Sequence, residues 1–496
     1  MELQFENKTV RYLRQNLCEV KEQEQTQEVR LPDGMPDLGR ILGAWGQCVM
    51  RGKEWNNDNI GTSGGVMAWV LYQPAEESQP QVVEAWLPIQ LKWNMPSSSR
   101  TGHIRCSWLL KGVDGRILSA RKLMVRANVS VMAQAVEPNE AEVSGPSEVE
   151  PDIQLLRNVY PARLNVEAGE KTFLIDEDMA LPQPAPEKLI CYSMTPQITE
   201  QKVLGGKAVF RGYGMFHLLY QGTDGRLHTH DHKVEFSQFA DLDHDHDKDA
   251  QITSVVAISS LEPELLENSL RIKCGVVVQY LVNELRMLEL VEDAYSTSRQ
   301  ITIKDSQLQL PMLLDSRQET IRISCVLGDR CDQMVALSLC MEQPQIRRAG
   351  DLTELSLDGQ AHVIYYDENG ALQGCTGRWS GKTEMPAAIH TDVMALVQGI
   401  GAPQIVHSAQ QTEVGAEVTM ETVILSADPL TMVTGLELGQ PQQADPARPS
   451  LILRRAGDGS LWEIAKGAGS TVNAIRRANG LTGEPVDDRI LLIPVV

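Results

Sequence analysis

The sequence lacks several features that would point to a specific class of protein. No apolar run approaches the 18 or so residues that a membrane helix needs. Aromatic residues are scarce, at 5% of the chain with six phenylalanines. The nine cysteines are odd in number, scattered and never spaced C-x-x-C. These absences argue against a membrane-spanning helix, and they predict reduced thiols rather than a disulfide framework or a cysteine-ligated zinc site.

An excess of basic residues is missing as well. The chain has 66 acidic and 45 basic residues, which gives a formal net charge of −21. Because this charge repels phosphate backbones and anionic lipid, we expect neither nucleic-acid binding nor direct membrane insertion. The first 20 residues contain no basic segment followed by an apolar one. No signal peptide is therefore expected, and a cytoplasmic location is favoured.

Apolar and polar residues alternate with a period of two in many segments, for example Val125 to Val131 and Ala416 to Met420. This alternation is typical of half-buried strands in antiparallel sheets. A chain of 496 residues is long enough for about three domains. The sequence therefore predicts a mainly β protein.

An apolar strand that ends in tyrosine recurs in the sequence. It appears at Met67 to Tyr72, Met215 to Tyr220 and His362 to Tyr366, with the tyrosines 148 and 146 residues apart. Hairpin-type turn residues follow the second and third occurrences. We interpret this spacing as three tandem antiparallel β-rich domains.

Domain boundaries are expected where the composition changes. A charged segment rich in Pro, Gly and Ser covers 137–152, a turn-rich segment lies near 295–300, and a Pro- and Gln-rich tether covers 439–450. The predicted units are 1–140, 151–296 and 297–440, followed by a small unit at 450–496.

The last unit has the pattern of a strand, two short helices and a second strand. Ser460 and Glu463 have the spacing of a capping box for the first helix, with Gly467 expected at its end. Ser470 is expected to cap the second helix, and Gly480 to end it. The sequence therefore predicts a βααβ fold between Leu451 and Pro494.

This segment resembles a LysM domain, because it contains G-D-G-S-L-W-E-I-A at 457–465 and A-N-G-L at 478–481. The family binds N-acetylglucosamine-containing glycans in a shallow groove between two loops. Two features depart from its pattern: Gly459 is an extra residue, and Asp487-Asp488-Arg489 replaces Pro-Gly-Gln. The resemblance implies a ligand- or partner-binding groove formed by Gly457, Asp458, Gly459, Ser460, Leu461, Asn479, Gly480 and Leu481.

Three segments contain residue types that carry chemistry in other proteins. Gly61 to Gly65 matches G-x-S-x-G, and Gly377 to Thr383 resembles a Walker A motif, but neither has a strand before it and a helix after it. We interpret both as loops. We interpret the His- and Asp-rich segment 228–249 as a solvated acidic loop and predict no metal-ligating residues, with a divalent-metal site as the alternative. No catalytic residue and no cofactor are predicted, so we do not expect an enzyme.

The overall architecture resembles that of clostridial spore-coat morphogenetic proteins of the SipL type, in which SPOCS domains precede a C-terminal LysM domain. Met35 to Leu42 and the three tyrosine-ending strands look like the SPOCS pattern. The resemblance implies a non-enzymatic scaffold in the mother-cell cytoplasm, at the forespore surface. The implied partners are a SpoIVA-like spore-coat ATPase and other coat proteins. The alternative is a cell-wall protein that binds the N-acetylglucosamine-containing glycan of peptidoglycan.

Overall fold

The structure is a computed structural model that describes most of the chain. The described residues are 2–76, 79–96, 101–144, 148–328, 330–331, 333–386, 390–408, 411–426, 428–441, 449–456, 459–483 and 489–495. The predicted fold class is confirmed in that the chain is mainly β, with several antiparallel sheets and two short helices near its C-terminal end. No helix in these ranges is long and apolar enough to cross a membrane.

The strands fall into three consecutive sets, preceded by a short strand and followed by a small module. The short strand is β1 (Glu2–Gln4). The first set contains β2 (Asn7–Arg30), β3 (Leu38–Asn56), β4 (Asn59–Pro74), β5 (Gln81–Asn94), β6 (His103–Ser119) and β7 (Lys122–Ser144). The second set contains β8 (Ile153–Ala180), β9 (Pro186–Val203), β10 (Lys207–Gly222), β11 (Leu227–Asp241), β12 (Gln251–Leu265) and β13 (Ser269–Ser296).

The third set follows the same order with several of its strands interrupted. It contains β14 (Arg299–Leu308), β15 (Met312–Leu327), β16 (Gln333–Met341), β17 (Gln345–Ala349), β18 (Leu352–Tyr366), β19 (Leu372–Pro386), β20 (Thr391–Ile400), β21 (Gln404–His407), β22 (Thr412–Ser426) and β23 (Leu430–Pro441). The C-terminal module contains β24 (Leu451–Arg455), α1 (Leu461–Ala468), α2 (Val472–Asn479) and β25 (Ile490–Pro494).

The same pairing pattern occurs in each set. The first strand pairs with the last, and the last also pairs with the fifth: β2–β7–β6, β8–β13–β12, and β15–β22 with β20 and β21. The strands between them form a meander: β3–β4–β5, β9–β10–β11, and β16 and β17 with β18–β19. All of these pairs are antiparallel. That the sets are separate domains with the predicted boundaries stays a prediction.

β-bulges recur at equivalent places in the three sets. The first, second and fifth strands each have one register shift that recurs between corresponding neighbours in all three sets. β3, β6 and β9 have further shifts that do not recur in every set. Each shift skips one residue, and such bulges bend a strand and increase its twist. At the recurring shifts, the residues skipped in the first strands are Asn16, Val166 and Leu314. Those skipped in the second strands are Leu42, Ile190 and Val335. Those skipped in the fifth strands are Lys111, Ser259 and Gln398.

A tyrosine occupies the same register position in each meander. Tyr72, Tyr220 and Tyr365 lie opposite the residue that precedes the bulge of the second strand. All three are buried in the hydrophobic core of their own set. The spacing in the sequence predicts that Tyr366 is the equivalent of the first two tyrosines, but the strand register places Tyr365 there. The two tyrosines are consecutive, and Tyr365 is the one that packs in this core.

The three sets meet in shared apolar clusters. One cluster joins Leu71 of the first set, Leu219 of the second and Ile364 of the third, each the neighbour of the core tyrosine. At the other end of the long strands, β14, β23 and β1 form a three-stranded sheet. Residues from all three sets pack beneath this end, including Tyr12, Leu164 and Met432. The three sets therefore pack against one another.

Side-chain amides also connect the sets. The Gln279 amide oxygen accepts a hydrogen bond from the Cys106 backbone N–H at 2.9 Å, and its NH₂ donates to the Cys106 carbonyl at 2.9 Å. Lys53 Nζ donates to the same amide oxygen at 3.0 Å. The Gln343 amide donates to the Ser107 carbonyl at 3.0 Å. Since β6 is an edge strand, these amides form hydrogen bonds with backbone groups that the sheet leaves unpaired.

Three local predictions are wrong. Gly61 to Gly65 lies inside β4, and Gly377 to Thr383 lies inside β19, so neither is a loop. The charged segment that begins at Glu137 is not a linker over its whole length, because β7 continues to Ser144 and pairs with β2. In each case long-range strand pairing outweighs the local preference of glycine and charged residues for turns.

Candidate functional site

The C-terminal module contains the predicted groove, and its βααβ order is the one expected. β24 and β25 pair in antiparallel register from Leu451–Pro494 to Arg455–Ile490. Leu461, Ile464, Ile475 and Leu491 form its core. Identification of the module as a LysM domain stays a prediction.

The helix ends are set by local capping. Ser460 and Glu463 form the predicted capping box, in which each side chain bonds the other residue's backbone N–H. The first helix ends at Gly469 in the left-handed conformation, rather than at Gly467. The second helix is capped by Thr471, because Ser470 is buried and its hydroxyl donates to the Pro494 carbonyl.

The first side of the predicted groove offers backbone more than side chains. Gly457 and Asp458 lie outside the described residues. Gly459 is half-buried and Ser460 is exposed, but the Ser460 hydroxyl already accepts the Glu463 N–H at 3.2 Å. Leu461 is fully buried in the module core. A ligand on this side would therefore meet the main chain and the rim of the capping box.

The second side is built around the Asn479 carboxamide. Its oxygen accepts the Leu492 N–H at 2.8 Å, and its NH₂ donates to the Leu492 carbonyl at 2.6 Å and to the Ile475 carbonyl at 2.8 Å. Gly480 follows with a φ of 62° and ends the helix. Leu481 packs against the same cluster that contains Leu461, so the module core brings the two sides together. Both N–H donors of the Asn479 amide are thus used within the module, so its main role is structural.

We expect Asn479→Ala to destabilise the module by about 2–4 kcal/mol. The change leaves the Leu492 N–H and carbonyl and the Ile475 carbonyl without the amide, and each lost bond at a partly buried group costs about 1 kcal/mol or more. Hydrogen exchange of the β25 peptide in the full chain measures the effect. Asn473→Ala, at an exposed position of the same helix, is the control. Equal protection of β25 in both variants would contradict this role of Asn479.

The module is docked on the second set through two residues near the end of β13. Asp293 accepts the Trp462 indole N–H at 2.7 Å and ion-pairs with Lys466 at 2.7 Å. The Tyr295 hydroxyl donates to the Ser470 carbonyl at 2.8 Å, and its ring packs edge-on against Trp462 at 4.7 Å. Burial, reinforced by the Asp293 carboxylate, raises the pKa of Tyr295 to about 12, so this hydroxyl stays a donor at physiological pH.

The docking contact leaves exposed surface on both sides of the predicted groove, as far as its residues are described. It uses α1 and the turn after it, whereas Ser460 and Gly480 stay exposed to solvent. The segment 451–496 contains six basic and five acidic residues and is nearly neutral, although the whole chain carries −21. Sequence reasoning did not find Asp293 or Tyr295, because they precede Trp462 by more than 160 residues and carry no local motif.

We expect Asp293→Ala to release the module from the second set. The substitution removes the acceptor of Trp462 and the counter-ion of Lys466. We expect the free energy of docking to become less favourable by about 1–3 kcal/mol, because the ion pair is partly exposed. The maximum dimension measured by small-angle X-ray scattering should then increase. Glu289→Ala removes a carboxylate from the same strand whose ion pair with Arg157 is at the surface, and it is the control. An unchanged scattering profile for Asp293→Ala would show that other contacts hold the module.

The His- and Asp-rich segment 228–249 is divided between a strand and a loop. His228, His230 and His232 lie in β11, and the acidic run from Asp241 follows it. His246 is buried between Glu167 and Glu284, with its ring nitrogens 2.9 and 3.1 Å from their carboxylate oxygens. In the described part of the chain, no group of three or more His, Cys, Asp and Glu side chains is placed to hold a metal ion. These contacts of His246 hold the segment against β8 and β13.

Comparison with known protein families gives one match. The family model described as SipL, SPOCS domain, matches residues 186–263. This range covers the meander of the second set, β9 to β11, and nearly all of β12. Comparison with curated proteins found no match, and neither did comparison with solved structures. The SPOCS match indicates a sporulation-related protein.

Proposed function

We propose that this chain is a non-enzymatic scaffold in the assembly of the spore coat. The observation that carries the proposal is the SPOCS match over residues 186–263. Two features support it: the same strand pairing occurs in the other two sets, and the chain ends in a βααβ module with LysM-like sequence motifs. A scaffold needs several surfaces held in a fixed relation, and shared apolar clusters hold the three sets together.

The proposed partner of the module is a SpoIVA-like spore-coat ATPase, in the mother-cell cytoplasm at the forespore surface. The groove-side residues use their side chains within the module, so a partner would be recognised mainly through exposed main chain near Gly459 and Gly480. Backbone groups of this kind suit a protein segment that adds its own backbone hydrogen bonds. They also suit glycan, which keeps peptidoglycan binding as the alternative function.

The test compares two glycine variants of the full chain by calorimetry, against the purified ATPase and against a chito-oligosaccharide. A Cβ at residue 459 meets Glu463 Oε2 at 3.4 Å, an ordinary contact, so Gly459→Gln fills the groove rim without disturbing the fold. Gly467→Gln is the matched control, since its Cβ meets only Arg454 at 3.9 Å.

We expect Gly459→Gln to weaken ATPase binding by about tenfold or more, which is about 1.4 kcal/mol, and Gly467→Gln to leave it unchanged. Binding of the sugar without binding of the ATPase would move the wall-binding function to first place. Binding of neither would remove the groove from the proposal, and the β-rich sets would have to carry the partner sites.

A further inference from the structure

Two cysteines of the third set lie in contact. Cys331 and Cys375 have their sulfur atoms 3.7 Å apart. Cys375 lies in β19, opposite Val363 of β18, and Cys331 lies between β15 and β16. None of the nine cysteines is in a disulfide in this structure, so the contact joins two thiols.

The two sulfurs differ in access to solvent. Cys331 is fully buried in the core of the third set, whereas Cys375 is partly exposed. The Cys331 backbone N–H donates to the Thr412 hydroxyl at 2.9 Å, which holds the residue beside β22. A shift of under about 2 Å brings the sulfurs to the disulfide bond length of roughly 2.05 Å.

We propose that Cys331 and Cys375 are a reversible redox pair, which forms a disulfide when the chain meets a small oxidised disulfide such as oxidised glutathione. The Cys375 thiolate attacks the small disulfide, forms a mixed disulfide and expels one small thiolate. The Cys331 thiolate then attacks the Cys375 sulfur and expels the second small thiolate. Two protein thiols are thus oxidised, one small disulfide is reduced to two thiols, and the two thiol protons go to the solvent or to the leaving groups.

The disulfide would join two ends of a long segment within one core. It closes a loop that contains β16, β17 and β18, the meander half of the third set. A cross-link of this kind stabilises mainly by restricting the unfolded chain, and the effect grows with the length of the loop. A reducing compartment keeps the pair open, and an oxidising one closes it.

The experiment equilibrates the full chain in reduced and oxidised glutathione buffers and alkylates the remaining thiols before mass spectrometry. We expect two fewer free thiols than the nine of the reduced chain, and a cross-link between tryptic peptides 331–347 and 349–378. The thermal midpoint should rise by about 5 °C and return on reduction. If nine thiols are still alkylated in the most oxidising glutathione buffer, the proposal is overturned.

Variants identify the sulfurs and their order of reaction. Peptide 331–347 also contains Cys340, so Cys340→Ala must keep the cross-link and Cys331→Ala must abolish it. Cys331→Ala should trap the mixed glutathione disulfide on Cys375, whereas Cys375→Ala should leave Cys331 as a free thiol. A cross-link that persists in Cys331→Ala would overturn the assignment. If the Cys331 variant is too unstable to purify, Cys375→Ala serves the same test, because loss of the cross-link supports the pair and its persistence contradicts it.

Discussion

Replacing Gln279 with methionine is expected to lower the free energy of unfolding by about 3–5 kcal/mol. The side chain of Gln279 is fully buried, and its amide satisfies the N–H and the carbonyl of Cys106 in the first set. Methionine has a similar size and fills the same space, but it offers neither a donor nor a strong acceptor. The change leaves the two Cys106 backbone groups without their partner, and an unpaired buried polar group costs about 1–3 kcal/mol. The Lys53 ammonium loses one acceptor but keeps the Ile104 carbonyl and Glu170.

Chemical denaturation measures the decrease in the free energy of unfolding. The reactivity of the Cys106 thiol shows whether the decrease arises at the junction between the first and second sets. Burial raises the pKa of the Cys106 thiol to about 11, so the thiol reacts slowly while the junction between the first and second sets is closed. Gln279→Met should speed alkylation of Cys106 well before global unfolding. Gln307→Met replaces an exposed glutamine whose amide bonds Thr431 at the surface, and it should change neither quantity. Equal stability of the two variants would mean that the junction is held by apolar packing alone.

The second large effect is loss of stability in mild acid, caused by His362. Its ring stacks on Trp45 of the first set, with centroids 5.3 Å apart and planes 5° apart, and its Nδ1 is buried with no hydrogen-bond partner. Gly43 lies so close that a Cβ there would be 2.8 Å from the Nε2 of His362. Burial lowers the pKa of His362 to about 4. The folded chain therefore holds this ring in its neutral form.

The sign of the effect follows from proton binding by the two states. As the pH falls below 6.5 the unfolded chain protonates this histidine, while the folded chain does not until about pH 4. Acid therefore favours unfolding in this window, and the free energy of unfolding should fall by about 2–3 kcal/mol between pH 6.5 and 4. Above pH 6.5 the group has no effect.

His362→Phe isolates this contribution. Phenylalanine keeps an aromatic ring against Trp45 but has no titratable group, so the variant should lose less stability than the native chain between pH 6.5 and 4. His407→Gln removes an exposed histidine instead and is the control variant. Parallel denaturation curves for the native chain and His362→Phe at every pH would contradict the assignment. The measurement also tests the contact between the first and third sets, since Trp45 and His362 belong to different sets.

The features that the sequence predicts well are local ones. The capping box of Ser460 and Glu463 was predictable because its two bonds span three residues. The alternating segments were predictable because a strand with one buried face requires that period. The glycine-rich segment of β4 was not, because its glycines are required by packing between strands. A Cβ at Gly65, for example, would lie 2.5 Å from the Leu87 carbonyl oxygen.

The parts of the candidate site that sequence reasoning missed depend on distant partners. The sequence motif predicts that Asn479 lines the groove, but the strand that binds its carboxamide, β25, becomes its neighbour only through the fold. Asp293 and Tyr295 lie near the end of β13, in a region that the sequence marked only as a domain boundary. Ser470 was expected to cap a helix, and its burial beneath Tyr295 moves that role to Thr471. In each case the deciding contact joins segments that no local pattern relates.

The pairing of β1 with β23 has a consequence for synthesis on the ribosome. Leu3 lies opposite Leu436, and the Phe5 N–H donates to the Thr434 carbonyl at 3.2 Å. The ribosome makes Leu3 and Phe5 before their partner strand, which emerges only after more than 400 further residues have been added. Until then Phe5 lacks Val433 and Leu436, two of the residues that bury it in the finished fold. β1 therefore takes its place in the sheet only after β23 has been synthesised, long after β1 itself.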